Sequence, residues 1–114
     1  MDTLKKRIRE FADDRDWHQF HSPKNLAMAL AVEAAELLEH FQWLTEEQSR
    51  ELDLEQLEKV RNEMGDVLIY LIRLSDVLGV DLLEAAADKL EKNAEKYPAD
   101  KVRGKALKYS DYHE

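Results

Sequence analysis

Leu26-Ala27-Met28-Ala29-Leu30-Ala31-Val32-Glu33-Ala34-Ala35-Glu36-Leu37-Leu38 is apolar throughout except for two glutamates. Ser22-Pro23 precedes it, a side-chain N-cap followed by a proline at the first helical position, so a helix is expected over residues 23–41. A helix that is apolar almost all round belongs at the centre of a bundle or at a subunit interface, not on the outside of a small monomer. Its two glutamates stand three residues apart and therefore share one helical face.

A second long helix follows, opening near Leu54. Its seam of Leu54, Leu57, Val60, Met64, Leu68, Leu71, Leu74 and Leu78 leads to Gly79, where a left-handed C-terminal cap belongs. Here too an acidic pair three apart, Glu63 and Asp66, enters an apolar run, Val67 to Ile72. Outward from these two elements, residues 3–16 read as a helix with a narrow stripe of Leu4, Ile8, Phe11 and Ala12. Asp81 caps a helix that ends before Pro98, with Leu83, Ala86, Ala87, Leu90, Ala94 and Tyr97 inward. Thr45-Glu46-Glu47-Gln48 has the form of a capping box opening one short turn. Trp17-His18-Gln19-Phe20-His21 is an aromatic, imidazole-rich connection, and the tail after Pro98 is expected to be irregular.

Short connections between long amphipathic helices predict an all-α four-helix bundle, with residues 1–98 as a single helical catalytic domain and 99–114 as a basic C-terminal tail. One small core cannot cover both of the apolar helices, which predicts a homodimer or a homotetramer, a dimer of dimers. No apolar stretch has the length and purity of a membrane span, and the 26–38 stretch lies too far along the chain for a signal peptide. The chain has no cysteine, which removes disulfides, thiolate zinc sites and thiol nucleophiles and fits a reducing cytoplasm. A formal net charge of −8 argues against a polynucleotide partner, since binding one rests on a surplus of Lys and Arg. A phosphate ligand should be small, and the segment 101–108, with four cations and no anion, offers a local anion site.

The four carboxylates are the chemistry that needs explaining. Dehydrating one ionised carboxylate costs several kcal/mol, so four without compensation would overwhelm a fold stabilised by about 5–15 kcal/mol. Lys59, Arg61 and Arg73 are the cations nearest in sequence to Glu63 and Asp66, but they fall mostly on other faces of the helix. Acidic pairs on two facing helices form a set of hard oxygen donors with no thiolate and no obligatory imidazole. That set suits Mg²⁺ or Mn²⁺ and leads to phosphate chemistry, because Mg²⁺ keeps positions open for water and phosphate oxygens.

These residues resemble the MazG-like all-α nucleotide pyrophosphohydrolases, most closely the dCTP pyrophosphatase group. The resemblance runs from Phe11 to Tyr109 and is carried by Arg15-Asp16-Trp17, Gln19-Phe20-His21, Pro23-Lys24-Asn25-Leu26, Glu33-Ala34-Ala35-Glu36, Phe41-Gln42-Trp43, Glu63-Met64-Gly65-Asp66-Val67-Leu68-Ile69-Tyr70-Leu71 and Lys96-Tyr97-Pro98. It implies that Glu33, Glu36, Glu63 and Asp66 bind Mg²⁺ and that a nucleoside triphosphate is cut to the monophosphate and pyrophosphate, cleansing the nucleotide pool. It further implies that Trp17, His21, Trp43 and Tyr70 line the nucleotide pocket and that Asn93 and Lys96 lie near the phosphates. Dimers or dimers of dimers are implied as well. The chain departs from the pattern at Val32, where many relatives carry a further glutamate, and at Ile8 and His18, where the animal enzymes have a histidine and a glutamate.

Helical spacing bears on the same residues. Tyr70 lies four beyond Asp66 and seven beyond Glu63, on one stripe, and Trp43 lies seven past Glu36, in line with it if that helix persists. Aromatic faces stack on bases with little selectivity, so hydrogen bonds must choose the base. The expected mechanism is in-line attack of a metal-activated water on phosphorus, with Glu33 or Glu36 accepting its proton and Glu33 the preferred acceptor. His18, His21 and His40 read as loop or helix-end histidines, and Lys89, Lys92, Asn93 and Lys96 form a polar stripe that is either solvated or phosphate-facing. Two other readings compete. A di-iron carboxylate bundle would need two Glu-x-x-His motifs, and Glu36 and Glu63 are followed at the third position by Glu39 and Asp66. A non-catalytic helical interaction module would use the acids in interchain ion pairs.

Overall fold

A computed structural model describes residues 1–104, which are helical in the main and form no strand among the described residues. The elements are α1 (Asp2–Asp14), a 3₁₀ turn (His18–Phe20), α2 (Pro23–Glu39), α3 (Glu46–Ser49), α4 (Leu54–Leu78), α5 (Leu82–Lys96) and α6 (Ala99–Val102). The all-α expectation holds. Two compact units divide between Val80 and Asp81.

The first unit contains α1 to α4. The side chain of Ser22 accepts from the Asn25 amide at 3.1 Å and so starts α2, with Pro23 at its first position as the sequence predicts. Thr45 and Gln48 close the capping box of α3. A second capping box, Asp53 with Gln56, opens α4. Gly79 ends that helix at φ 68°, and the Val80 amide reaches back to the Ser75 carbonyl at 2.9 Å. The left-handed conformation costs any side-chain-bearing residue about 1–2 kcal/mol, which is why glycine suits the position.

The first helix ends two residues earlier than its stripe suggests. Asp16 takes a left-handed conformation, φ 53°, and the Trp17 amide returns to the Ala12 carbonyl at 2.9 Å. Aspartate is one of the few non-glycine residues that visits this region. The turn throws the chain sideways into Trp17–His21, where Asn25 donates to the Phe20 carbonyl at 3.0 Å and fixes the entry to α2.

α2 packs along α4, and α1 lies against α4. Leu26 and Ile72 are the largest fully buried side chains, with Ala12 and Val60 beside them in the core. Other apolar side chains remain open: Met28, Val32 and Leu38 on α2, and Leu57, Met64, Leu68 and Ile69 on α4. This is the surplus apolar surface that the sequence of the two helices implies.

The second unit begins at Asp81, whose side chain accepts from the Glu84 amide at 3.0 Å to start α5. The helix stops at Lys96, ahead of Pro98. The tail is not wholly irregular, since Pro98 opens the one-turn α6 with Asp100 in its first turn and Lys101 in its last. Lys105 and Lys108 of the basic segment lie outside the described residues.

Candidate active site

Glu33 and Glu36 stand one turn apart on α2 and meet Glu63 from α4. Each of the three offers a carboxylate oxygen within 4.8 Å of the others, and all three residues are half-buried. The Oε2 atoms of Glu33 and Glu63 are shielded from solvent and have no hydrogen-bond partner. Cations on α4 pair elsewhere: Lys59 with Glu55 at 3.7 Å, Arg61 with Glu58 at 3.4 Å and Arg73 with Asp76 at 3.5 Å.

Burial, followed by the close approach of Glu36 and Glu63 and the charges of Glu36 and Asp66, pushes the Glu33 carboxyl up to about 7. Two carboxylates in such proximity can share a proton or a cation; ionised and with neither, they repel. The orphaned buried oxygens, the all-oxygen donor set and the lack of sulfur fit a small hard divalent cation. Among the described residues no histidine joins this group of three, whereas a di-iron bundle draws on two Glu-x-x-His motifs.

Asp66, one turn beyond Glu63, is exposed and stands outside the group of three, although its charge acts on Glu33. It lines an adjoining cavity of about 240 Å³ together with Trp17, His21, Tyr70 and Arg73, over a floor that includes Phe11 and Ile8. Trp17 meets Phe11 edge to face, with ring centroids 5.7 Å apart, and meets His21 at 6.4 Å. The structure therefore gathers Trp17, His21, Tyr70 and Asp66 on one cavity beside the three glutamates.

Helix α2 ends at Glu39, so the alignment that would put Trp43 over Glu36 does not persist; Trp43 is 86% exposed and does not line that cavity. Asn93, half-buried, and Lys96 stand three apart on α5, within the unit that begins at Asp81. His40 is half-buried at the end of α2.

The sequence offers Arg73 only as a counterion set aside for lying on another face of the helix, and the structure corrects this, because Arg73 lines the same cavity as Asp66 and Tyr70. Arg73 is 3% exposed; its Nε donates to His21 Nδ1 at 3.1 Å, and its Nη2 lies 2.9 Å from His18 Nδ1. Asp76, one turn further along α4, faces Arg73 and is gripped by Arg9 of α1 through two contacts of 2.9 and 2.6 Å. The guanidinium of Arg9 holds the Asp76 carboxyl below its usual range, while burial, then Arg73 and His18, lower the His21 imidazole. The signal was available: Arg73 lies seven residues past Asp66 and three past Tyr70, on the stripe already assigned to the site, inside an apolar run.

The MazG-like family model matches residues 28–112 of the chain. The chain is 40% identical over 113 residues to dCTP pyrophosphatase 1 of Mus musculus and 38% identical to that of Homo sapiens. In each comparison 97% of the chain is aligned, and it spans 66% of the relative's length. A crystal structure of a pyrophosphatase from Archaeoglobus fulgidus superposes with a TM-score of 0.82 at 44% identity, covering 86% of this chain and 92% of the other.

Proposed function

The chain belongs to the MazG-like family, and from that footing we propose that it is a Mg²⁺-dependent nucleoside triphosphate pyrophosphohydrolase. The observation that carries this reading is the trio Glu33, Glu36 and Glu63, whose buried oxygens lack any partner among the described residues. With Asp66 beside them they would hold Mg²⁺ or Mn²⁺, which when bound supplies charge neutralisation for phosphoryl transfer.

The chain's own residues supply the rest. Trp17 and Tyr70 offer aromatic faces to a base in the 240 Å³ cavity, and His21 offers a polar edge. Water attacks the α-phosphorus, the bond to the bridging oxygen breaks, and pyrophosphate leaves with the monophosphate left behind. Glu33 accepts the proton lost by the water.

The names of the curated relatives favour dCTP or a modified cytidine nucleotide as substrate and a role in cleansing the nucleotide pool. The open apolar side chains of α2 and α4 favour a homodimer or a dimer of dimers over a monomer. No described helix is long and apolar enough to cross a membrane. A panel of canonical and modified (d)NTPs, assayed for pyrophosphate release with Mg²⁺ against a Glu36→Gln control, tests the proposal. Pyrophosphate release that the substitution abolishes is expected; orthophosphate as the first product would sink it.

A further inference from the structure

We propose that Arg73 is a positioning residue that locks the His21 imidazole with its proton on Nε2, so that the cavity presents one fixed hydrogen-bond donor to an acceptor atom on the nucleotide's base. The ligand half of this inference rests on the proposed function. The lock itself does not.

Arginine carries five N–H donors and no acceptor, so a nitrogen in hydrogen-bond contact with it must accept. Arg73 Nε donates to His21 Nδ1 at 3.1 Å, and Nη2 engages His18 Nδ1 at 2.9 Å. Both Nδ1 atoms are therefore unprotonated, and neutral His21 carries its single proton on Nε2. The clamp is rigid because the guanidinium is buried and is faced by Asp76, which Arg9 grips from α1.

With Nδ1 taken by Arg73, the Nε2–H edge is the polar group that His21 has left for the cavity it lines with Asp66 and Tyr70. Three consequences follow for chemistry there. His21 cannot serve as the base toward water while Nε2 holds the proton, which leaves that role to a carboxylate. It can pair with a carbonyl oxygen or an unprotonated ring nitrogen, such as O2 or N3 of cytosine. It disfavours a ring N–H presented at the same point, since that sets donor against donor and leaves both unpaired.

The test begins on the full chain without nucleotide, by long-range ¹H–¹⁵N correlation of the histidine rings. A single His21 tautomer with an unprotonated, hydrogen-bonded Nδ1 and a protonated Nε2 is expected; a proton on Nδ1, or a ring averaging between tautomers, would overturn the lock. No substitution is needed for this arm, so it stands even if a variant misfolds. In steady-state assays on the triphosphate hydrolysed best, Arg73→Met should raise KM about tenfold, the loss of roughly one hydrogen bond, with kcat changed by less than about twofold. Added to His21→Ala, Arg73→Met should have no further effect on KM. Multiplied effects in the double variant, or a fall confined to kcat, would make Arg73 merely structural and overturn its positioning role. If no triphosphate is hydrolysed, the nucleotide reading and the ligand half fall together, while the ring spectrum still decides the lock.

Discussion

Glu33 on α2 and Glu63 on α4 bring carboxylate oxygens within 4.8 Å of each other, and each keeps an Oε2 atom shielded from solvent without a partner. That relationship makes the fold dependent on pH when no cation is present. The Glu33 carboxyl has an ordinary value of 4.5 and is pushed up to about 7 in the fold, by burial first and then by its acidic neighbours. Between those values the folded chain retains a proton that the unfolded chain has released, so raising the pH favours unfolding. The melting temperature in chelator should fall as pH rises from about 4.5 toward 7 and should level off above, as read by scanning calorimetry. Saturating Mg²⁺ should remove the fall, adding about 2.7 kcal/mol of stability at a concentration one hundred times its Kd. A melting temperature indifferent to both pH and Mg²⁺ would favour the non-catalytic module.

Neutralising one carboxylate should separate stability from activity. Glu33→Gln keeps the shape but removes the raised acid, so metal-free stability near pH 8 should rise or hold. Pyrophosphate release should fall by about 10²–10⁴-fold, the contribution of a positioned proton acceptor. Glu63→Gln should likewise relieve repulsion in chelator and weaken the response of melting temperature to Mg²⁺. Loss of stability and activity together in both variants would mean that the acids are structural.

How far the sequence foretold this arrangement depends on which force set each position. The periodic seam of α4, its Gly79 cap and the Ser22-Pro23 start of α2 were all legible, because caps and apolar spacing act within a few residues. Glu33, Glu36 and Glu63 were legible as acids stranded in apolar runs. Asp66 was expected as an equal fourth member but stands on the cavity side. The early end of α1 turns on Asp16 adopting a left-handed conformation, which no local glycine announces. Trp43 comes from the resemblance, and its alignment with Glu36, which needs α2 to run past Glu39, does not form because the chain leaves the helix there. Asp76 goes unread and Arg73 is set aside as a cation on another face because their partners, Arg9, His18 and His21, are more than fifty residues away in sequence. Pairing at that range is set by packing of α1 and the 3₁₀ turn on α4 and leaves little trace in spacing alone.

The two ion pairs made by Asp76 should differ sharply in worth. Arg9 is half-exposed, so Arg9→Ala removes a largely solvated partner and should lower stability only slightly. Asp76→Ala leaves the buried Arg73 guanidinium without its carboxylate, and removing one partner of a buried pair costs about 3–5 kcal/mol. Urea unfolding of the two variants reads the difference directly, and equal losses would show that Arg73 finds its compensation elsewhere.

The aromatic residues should sort by their place relative to the cavity. Tyr70 and Trp17 line it beside Asp66, whereas Trp43 is almost fully exposed on the same chain. Stacking on a base is worth about 1–3 kcal/mol per aromatic ring. Tyr70→Ala and Trp17→Ala should therefore raise KM for a nucleoside triphosphate by roughly 5- to 150-fold. Tyr70→Phe keeps the stacking face and should lie near wild type, which separates the ring from its hydroxyl. Trp43→Ala tests a different arrangement. If each chain binds the base with its own residues alone, KM stays within about twofold of wild type, as expected for an exposed side chain that touches no ligand. A rise in KM as large as that of Tyr70→Ala would place Trp43 on the base, brought there by a second copy of the chain or by movement of its own segment. Measuring KM against protein concentration then distinguishes a pocket completed in the oligomer, whose KM climbs on dilution, from one formed within a single chain, whose KM does not change.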